Sequence, residues 1–176
     1  MDMIGMIYPP SSEKHKFILV ATDYFTKWVE AQAYEEVKQT HVMKFIKGII
    51  YRFGNPQTIT VDNGSIFEGK LVKAFASNHG ISLIYTSTYY AQSNGQAKST
   101  NKIIKKGIQR MVDKNPEIWH NLLLDTLWAY RNTKRTSTCT TPFALTYGHD
   151  AVLPMEIIVR SQRVTSQNDL ETKAYH

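Results

Sequence analysis

Sulfur chemistry is almost missing from this chain of 176 residues: Cys139 is its one cysteine, so no internal disulfide can form. Six histidines are scattered along it, and no Cys/His pair has the spacing of a zinc finger or ribbon, which argues against structural zinc. Long apolar runs are also lacking. A membrane helix needs roughly 20 consecutive apolar residues, and no segment approaches that. The N-terminus does not read as a signal peptide, because Asp2 and Gly5 interrupt it and Pro9-Pro10 ends it. A soluble intracellular protein is the expectation. Internal repeats and low-complexity blocks are absent as well.

What is present suffices for one sizeable core: 42% of the residues are hydrophobic, with all three aromatic types. The net charge of +6 is compatible with a polyanionic partner without requiring one.

Residues 3 to 8, 16 to 22 and 28 to 33 are short runs rich in Ile, Val, Phe and Trp. Pro9-Pro10-Ser11-Ser12 and Tyr24-Phe25-Thr26-Lys27 separate them, which predicts a three-stranded antiparallel meander. From Thr40 to Phe53 the period changes. Val42, Met43, Phe45, Ile46, Ile49, Ile50 and Phe53 recur at steps of three and four, with Thr40 as cap and Gly54-Asn55-Pro56 as stop, so a helix is expected. Thr58 to Val61 reads as a short buried strand ending in the polar turn Asp62-Asn63-Gly64. A helix over about Gly69 to Asn78 and a strand over Ile81 to Tyr85 follow. Strands alternating with helices after a meander predict a mixed sheet covered by helices, because parallel neighbours need a crossover.

The stretch from Thr86 to Gln96 is polar and reads as a loop. Ala97 to Asn115 is amphipathic: Ile103, Ile104, Ile108, Met111 and Val112 share a face, and Lys102, Lys105, Lys106, Gln109 and Arg110 point elsewhere. Pro116 opens a helix running to about Asn132, and Pro142 opens a short one closing at Tyr147-Gly148. Trp28, Trp119 and Trp128 fit core positions. Residues 160 to 176 lack periodicity and read as an irregular tail, leaving 1 to 159 as one domain.

Carboxylates at strand ends are the candidate chemistry. Asp2 starts the first strand, Asp62 follows the fourth, and Asp23 ends the second and competes for the first position. Two-metal phosphoryl transfer needs carboxylates on rigid neighbouring strands, because ions about 3.5–4 Å apart must serve both the attacking and the leaving oxygen. A lone Asp-Asn-Gly would be only a turn. Basic residues Lys102, Lys105, Lys106 and Arg110 could meet phosphates, although such a run is more often a solvated face. Tyr89 and Tyr90 could stack on unpaired bases, or one of them could pack inward.

Five segments occur in order: Met1-Asp2-Met3-Ile4-Gly5, Ala21-Thr22-Asp23-Tyr24-Phe25-Thr26-Lys27-Trp28, Thr60-Val61-Asp62-Asn63-Gly64-Ser65-Ile66-Phe67, Tyr89-Tyr90-Ala91-Gln92-Ser93-Asn94-Gly95-Gln96-Ala97 and Thr141-Pro142-Phe143-Ala144-Leu145-Thr146-Tyr147-Gly148. Together they resemble the integrase catalytic core of gypsy-type LTR retrotransposons, from Asp2 to about Pro154. The resemblance implies an α/β ribonuclease H-like fold with a five-stranded mixed sheet flanked by helices. It implies removal of nucleotides from the 3′ ends of retroelement DNA and transfer of those ends into target DNA, with Mg²⁺ or Mn²⁺ as cofactor. DNA and further copies of the chain are the implied partners, and the nucleus the implied location, although no cluster of basic residues reads as a nuclear signal.

Carried over by position, Asp2 and Asp62 are catalytic metal ligands, and Asp23 is outside the triad. The third position, separated from Asp62 by residues 63 to 97, holds Lys98 where the family has Glu. Tyr90 and Ala91 stand where such elements commonly show His-Pro. The resemblance further implies Gln92, Ser93, Asn94, Lys102 and Lys105 as DNA contacts, which Tyr90 joins by stacking and Lys106 by charge. Protonated lysine has no lone pair for a metal, so the expectation is an impaired integrase core. The alternative is a non-catalytic DNA-binding or dimerising remnant. No zinc module precedes Asp2, and nothing after residue 160 resembles a folded C-terminal domain, so the chain reads as an excised core or a polyprotein fragment.

Overall fold

A computed structural model of the chain describes residues 1–85, 102–107, 109, 110, 113–158 and 166. The expected meander is present as β1 (Asp2–Ile4), β2 (Phe17–Thr22) and β3 (Val29–Tyr34). Both pairings are antiparallel, with Asp2 opposite Val20 and Val20 opposite Ala31. Helix α1 (Gln39–Phe53) then crosses over to β4 (Thr58–Val61), and α2 (Lys70–Asn78) crosses to β5 (Ser82–Tyr85). β4 and β5 are parallel, as strands joined by a helical crossover must be. Residues 102–107 are helical, as are 109, 110, 113 and 114, and form α3. It is followed by α4 (Trp119–Arg131), α5 (Pro142–Tyr147) and α6 (Pro154–Ile158).

The alternation of β2 sets the layers. Ile18 and Val20 face one side, where they join Ile4, Val29, Ile104 of α3, and Trp119, Leu123, Leu127 and Tyr130 of α4. Leu19 faces the other, with Val42, Phe45 and Ile46 of α1, Val61, and Val72 and Ala76 of α2. Successive strand residues point to opposite faces. A sheet between two helical layers therefore has its core on both faces.

The five expected strands form two hydrogen-bonded ladders, β1-β2-β3 and β4-β5. They meet where the Met1 amine donates to the Thr60 carbonyl of β4. β1 is three residues long and offers few groups for a longer ladder with β4.

Several local expectations shift. α1 is capped by Lys38 rather than Thr40, which lies inside the helix. The Lys38 N–H donates to His41 Nδ1 at 3.2 Å, a reciprocal contact that the cap rule for hydroxyl side chains does not anticipate. Gln39 also serves α2: its Oε1 accepts from Leu71 N at 3.1 Å. A Cβ at Gly69 would lie 2.0 Å from that Gln39 side chain, so a larger residue there would push the Gln39 amide from its place.

α4 begins at Trp119, after a turn containing Pro116. Its buried stripe is Trp119, Leu123, Leu127 and Tyr130. Trp128 stands one position off that stripe and is 40% exposed, against the expectation of a core residue. It meets the Phe143 ring of α5 at 6.1 Å. Ile103 is likewise exposed, and Ile104 alone of that pair enters the core. α5 follows the sequence closely: Thr141 Oγ1 caps it by accepting from Ala144 N at 3.0 Å, and Gly148 ends it at φ 80°.

Candidate active site and nucleic-acid interface

Asp2 opens β1, locked opposite Val20 of the central strand, and its Oδ1 accepts from Met3 N at 2.8 Å. Asp62 stands directly after β4, whose last residue, Val61, is buried. The turn beyond is tight. Gly64 N donates to Asp62 Oδ1 at 3.2 Å, and a Cβ at Gly64 would come within 3.0 Å of that same oxygen. Fully buried Phe67 anchors the turn, its N–H donating to Gly64 O at 2.9 Å. Its own carbonyl accepts from the Tyr85 hydroxyl at 3.2 Å.

These supports bring the two carboxyls together, so that Asp2 and Asp62 lie within hydrogen-bonding reach of each other. Burial is the main cause that raises the Asp62 carboxyl above its ordinary value. The charge of Asp2 and a hydrogen bond with it add to the rise, while the Gly64 N–H and the N-terminal amine oppose it. The Met1 amine is itself lowered, by burial first, against the pull of Asp2 and Asp62. Two acids thus share one partly buried corner.

Asp23, the competing candidate, does a different job. Its Oδ2 accepts from Phe25 N at 3.1 Å, Thr26 N at 2.7 Å and Thr26 Oγ1 at 2.7 Å. It is the turn former of the β2–β3 connection. Lys98, Tyr89, Tyr90, Ala91, Gln92, Ser93 and Asn94 lie outside the described residues. Lys102, Lys105 and Lys106 are helical and exposed, as is Arg110, while Ile104 between them is buried. The helix therefore presents basic side chains outward from a face fixed in the core.

The family model of the integrase core domain matches residues 1–91. The chain belongs to the integrase core domain family. Polyproteins of the transposons Tf2-3 and Tf2-4 of Schizosaccharomyces pombe are each 28% identical to it over 176 aligned residues, covering 98% of this chain. The chain spans 13% of the length of those curated relatives. They agree with an integrase core of retrotransposon type.

Solved structures carry the same fold. The catalytic core domain of BIV integrase matches this integrase core with a TM-score of 0.67 at 20% identity, over 84% of this chain and 92% of that one. A chain of the simian T-cell lymphotropic virus intasome in complex with PP2A regulatory subunit B56 gamma matches with a TM-score of 0.66 at 23% identity, over 78% and 50%. The fold is ribonuclease H-like, as the sequence implied. Integrase core domains use divalent metal ions. No helix among the described residues is long and apolar enough to cross a membrane.

Proposed function

We propose that this chain is the catalytic core of a retrotransposon integrase, built to process the 3′ ends of element DNA and join them to target DNA, and impaired in that chemistry by Lys98. The convergence of Asp2 and Asp62 at the junction of the two ladders carries this reading. Paired carboxylates fit Mg²⁺ or Mn²⁺, which prefer hard oxygen donors. A dication also relieves the repulsion that helps to raise the Asp62 carboxyl.

Asp2 and Asp62 would hold the ion, fixed by the Met3 and Gly64 N–H groups. When bound, such an ion stabilises charge on the phosphodiester during in-line attack by water or by a DNA 3′-hydroxyl. Lys98 occupies the sequence position of the third carboxylate. An ammonium there supplies no ligand atom and opposes a second dication, so the full two-ion arrangement is disfavoured.

DNA is the proposed substrate and partner. Lys102, Lys105 and Lys106 would meet backbone phosphates, with Tyr90, Gln92, Ser93 and Asn94 as further contacts from the segment before Lys98. Assembly as a homo-oligomer in the nucleus, where target DNA resides, belongs to the same proposal. So does a catalytic domain over residues 1–159 followed by an irregular tail over 160–176.

The test compares the chain with Lys98→Glu in a Mg²⁺-dependent strand-transfer assay, using the polyprotein-derived integrase that contains this segment. Lys98→Glu is expected to raise the rate by orders of magnitude, since about 1.4 kcal/mol of transition-state stabilisation is tenfold. Equal activity of the two overturns the impairment. Lys98 also favours a second reading, a non-catalytic DNA-binding or dimerising remnant. DNA binding by both proteins, with no activity from Lys98→Glu, would establish that one instead.

A further inference from the structure

The β1–β2 connection is fastened to the start of α4. Ser12 N donates to Glu117 O at 2.8 Å, and Ser11, which is 5% exposed, receives His15 N on its Oγ at 3.1 Å. Lys14 takes φ 61° within this tight turn. Glu13 and His15 then converge with His120 of α4. Glu13 Oε1 lies 3.4 Å from His120 Nε2, and Glu13 Oε2 lies 3.9 Å from His15 Nδ1. The two imidazole centroids are 5.1 Å apart, beside the fully buried Trp119. One ligand atom from each of the three residues falls within 4.8 Å of the others.

His120 supplies the second observation: its side chain is only 7% exposed, and its Nε2 is aimed into the cluster at Glu13.

We propose that Glu13, His15 and His120 form a site for a borderline divalent transition metal, of which Zn²⁺ is the representative. The donor set decides the class, because imidazole nitrogen suits Zn²⁺, Ni²⁺ or Cu²⁺ whereas Mg²⁺ takes oxygen. The dimensions agree. Bonds of about 2.0–2.1 Å in a tetrahedron place ligand atoms roughly 3.3–3.4 Å apart, and the Glu13–His120 separation of 3.4 Å already meets that. The remaining contraction falls on the carboxylate of Glu13, which is 65% exposed and free to move, and on His15.

Three protein donors leave a fourth position for water. Bound there, the ion clamps the β1–β2 connection to α4, adding to the backbone bond from Ser12. The site shares no residue with the Asp2–Asp62 pair and does not depend on the integrase chemistry. Spacing rules for zinc sites could not show it, because its ligands come from two distant segments, neither with a Cys/His motif.

The test uses the full chain, stripped of metal by chelator and titrated with Co²⁺ and then Zn²⁺. The expected result is one equivalent of Co²⁺ giving visible ligand-field bands of a tetrahedral site, displaced by Zn²⁺, with a rise in melting temperature. His15→Asn should abolish the bands, and Glu13→Gln should weaken binding at least about tenfold. Asp62→Asn should leave the tetrahedral bands unchanged, because the Asp2–Asp62 pair offers oxygen donors alone. Absence of binding by the parent chain overturns the proposal. So do bands that persist in His15→Asn and Glu13→Gln, or that vanish in Asp62→Asn. His120→Asn is a further variant, but the two more accessible ligands keep the test decisive if it fails to fold.

Discussion

Asp2 lies in one hydrogen-bonded ladder and Asp62 directly follows a strand of the other, yet their carboxyl groups lie within hydrogen-bonding reach of each other. Strand pairing fixes one and the Gly64 turn fixes the other, so their approach is imposed by the backbone. Keeping two acids so close requires a proton or a cation. The two alternatives respond differently to solution conditions.

Metal-free stability should therefore depend on pH through Asp62. Burial first, and then Asp2, raises its carboxyl above the ordinary 3.8. Between that value and the raised one, the folded chain holds more protons than the unfolded chain, so stability falls as pH rises through the window. Asp62→Asn, neutral and of the same shape, should flatten that slope and melt higher than the parent at neutral pH in chelator. Calorimetric melting from about pH 3 to about pH 8 checks it. A variant less stable than the parent at neutral pH would contradict this account.

Millimolar Mg²⁺ should reverse the ranking in part. An ion held by Asp2 and Asp62 stabilises only the folded chain, by about 2.7 kcal/mol at a hundredfold excess over Kd. Asp62→Asn should gain almost nothing, and Lys98→Glu should gain more than the parent. Thermal shifts across a Mg²⁺ titration would show the order, and an identical shift in all three proteins would count against Asp62 as a ligand.

Arg131 ties α4 to β3. Its Nε and Nη2 donate to the Val29 carbonyl at 3.0 and 2.7 Å, Nη2 lies 3.2 Å from Glu30 Oε1, and its guanidinium sits 4.2 Å from the Trp28 ring centre. Both charged side chains are more than four-fifths buried. Arg131→Ala leaves Glu30 with the more exposed Arg52, at 3.1 Å, and the Trp28 Nε1 donor, at 2.8 Å, and should destabilise the fold by about 3 kcal/mol. Arg131→Lys should recover less than half of this, because lysine lacks the planar fork. Urea unfolding midpoints of the three proteins test the ranking.

Much of this arrangement was legible because periodicity reports burial directly. Ile18, Leu19 and Val20 alternate between two helical layers, and the three-and-four spacing of α1 places Val42, Phe45 and Ile46 inward. One-residue ambiguities were not legible. Trp128 lies beside a stripe it does not join, and hydrophobicity alone cannot say which of two adjacent apolar residues faces in. Asp23 and Asp62 look alike in sequence, since each follows a strand. Beyond the family resemblance, their partners separate them: Asp23 is consumed by its own turn, while Asp62 meets Asp2 across the fold. Glu13, His15 and His120 were invisible for the same reason, being adjacent only in space.

The outward basic side of α3 gives the last prediction. Lys102, Lys105 and Lys106 are exposed around buried Ile104, so replacing them by alanine leaves the core intact. If each neutralises one phosphate, the slope of log K against log salt becomes shallower by about 0.9 per replacement. Contacts of this kind carry no base information, so affinity should fall by a similar factor for element ends and for unrelated DNA. Fluorescence anisotropy with both duplexes at several salt concentrations measures the slope and the ratio together. A solvated face with no phosphate contact would leave the slope untouched, whereas a loss confined to element ends would mean that these lysines read sequence or end structure instead of charge.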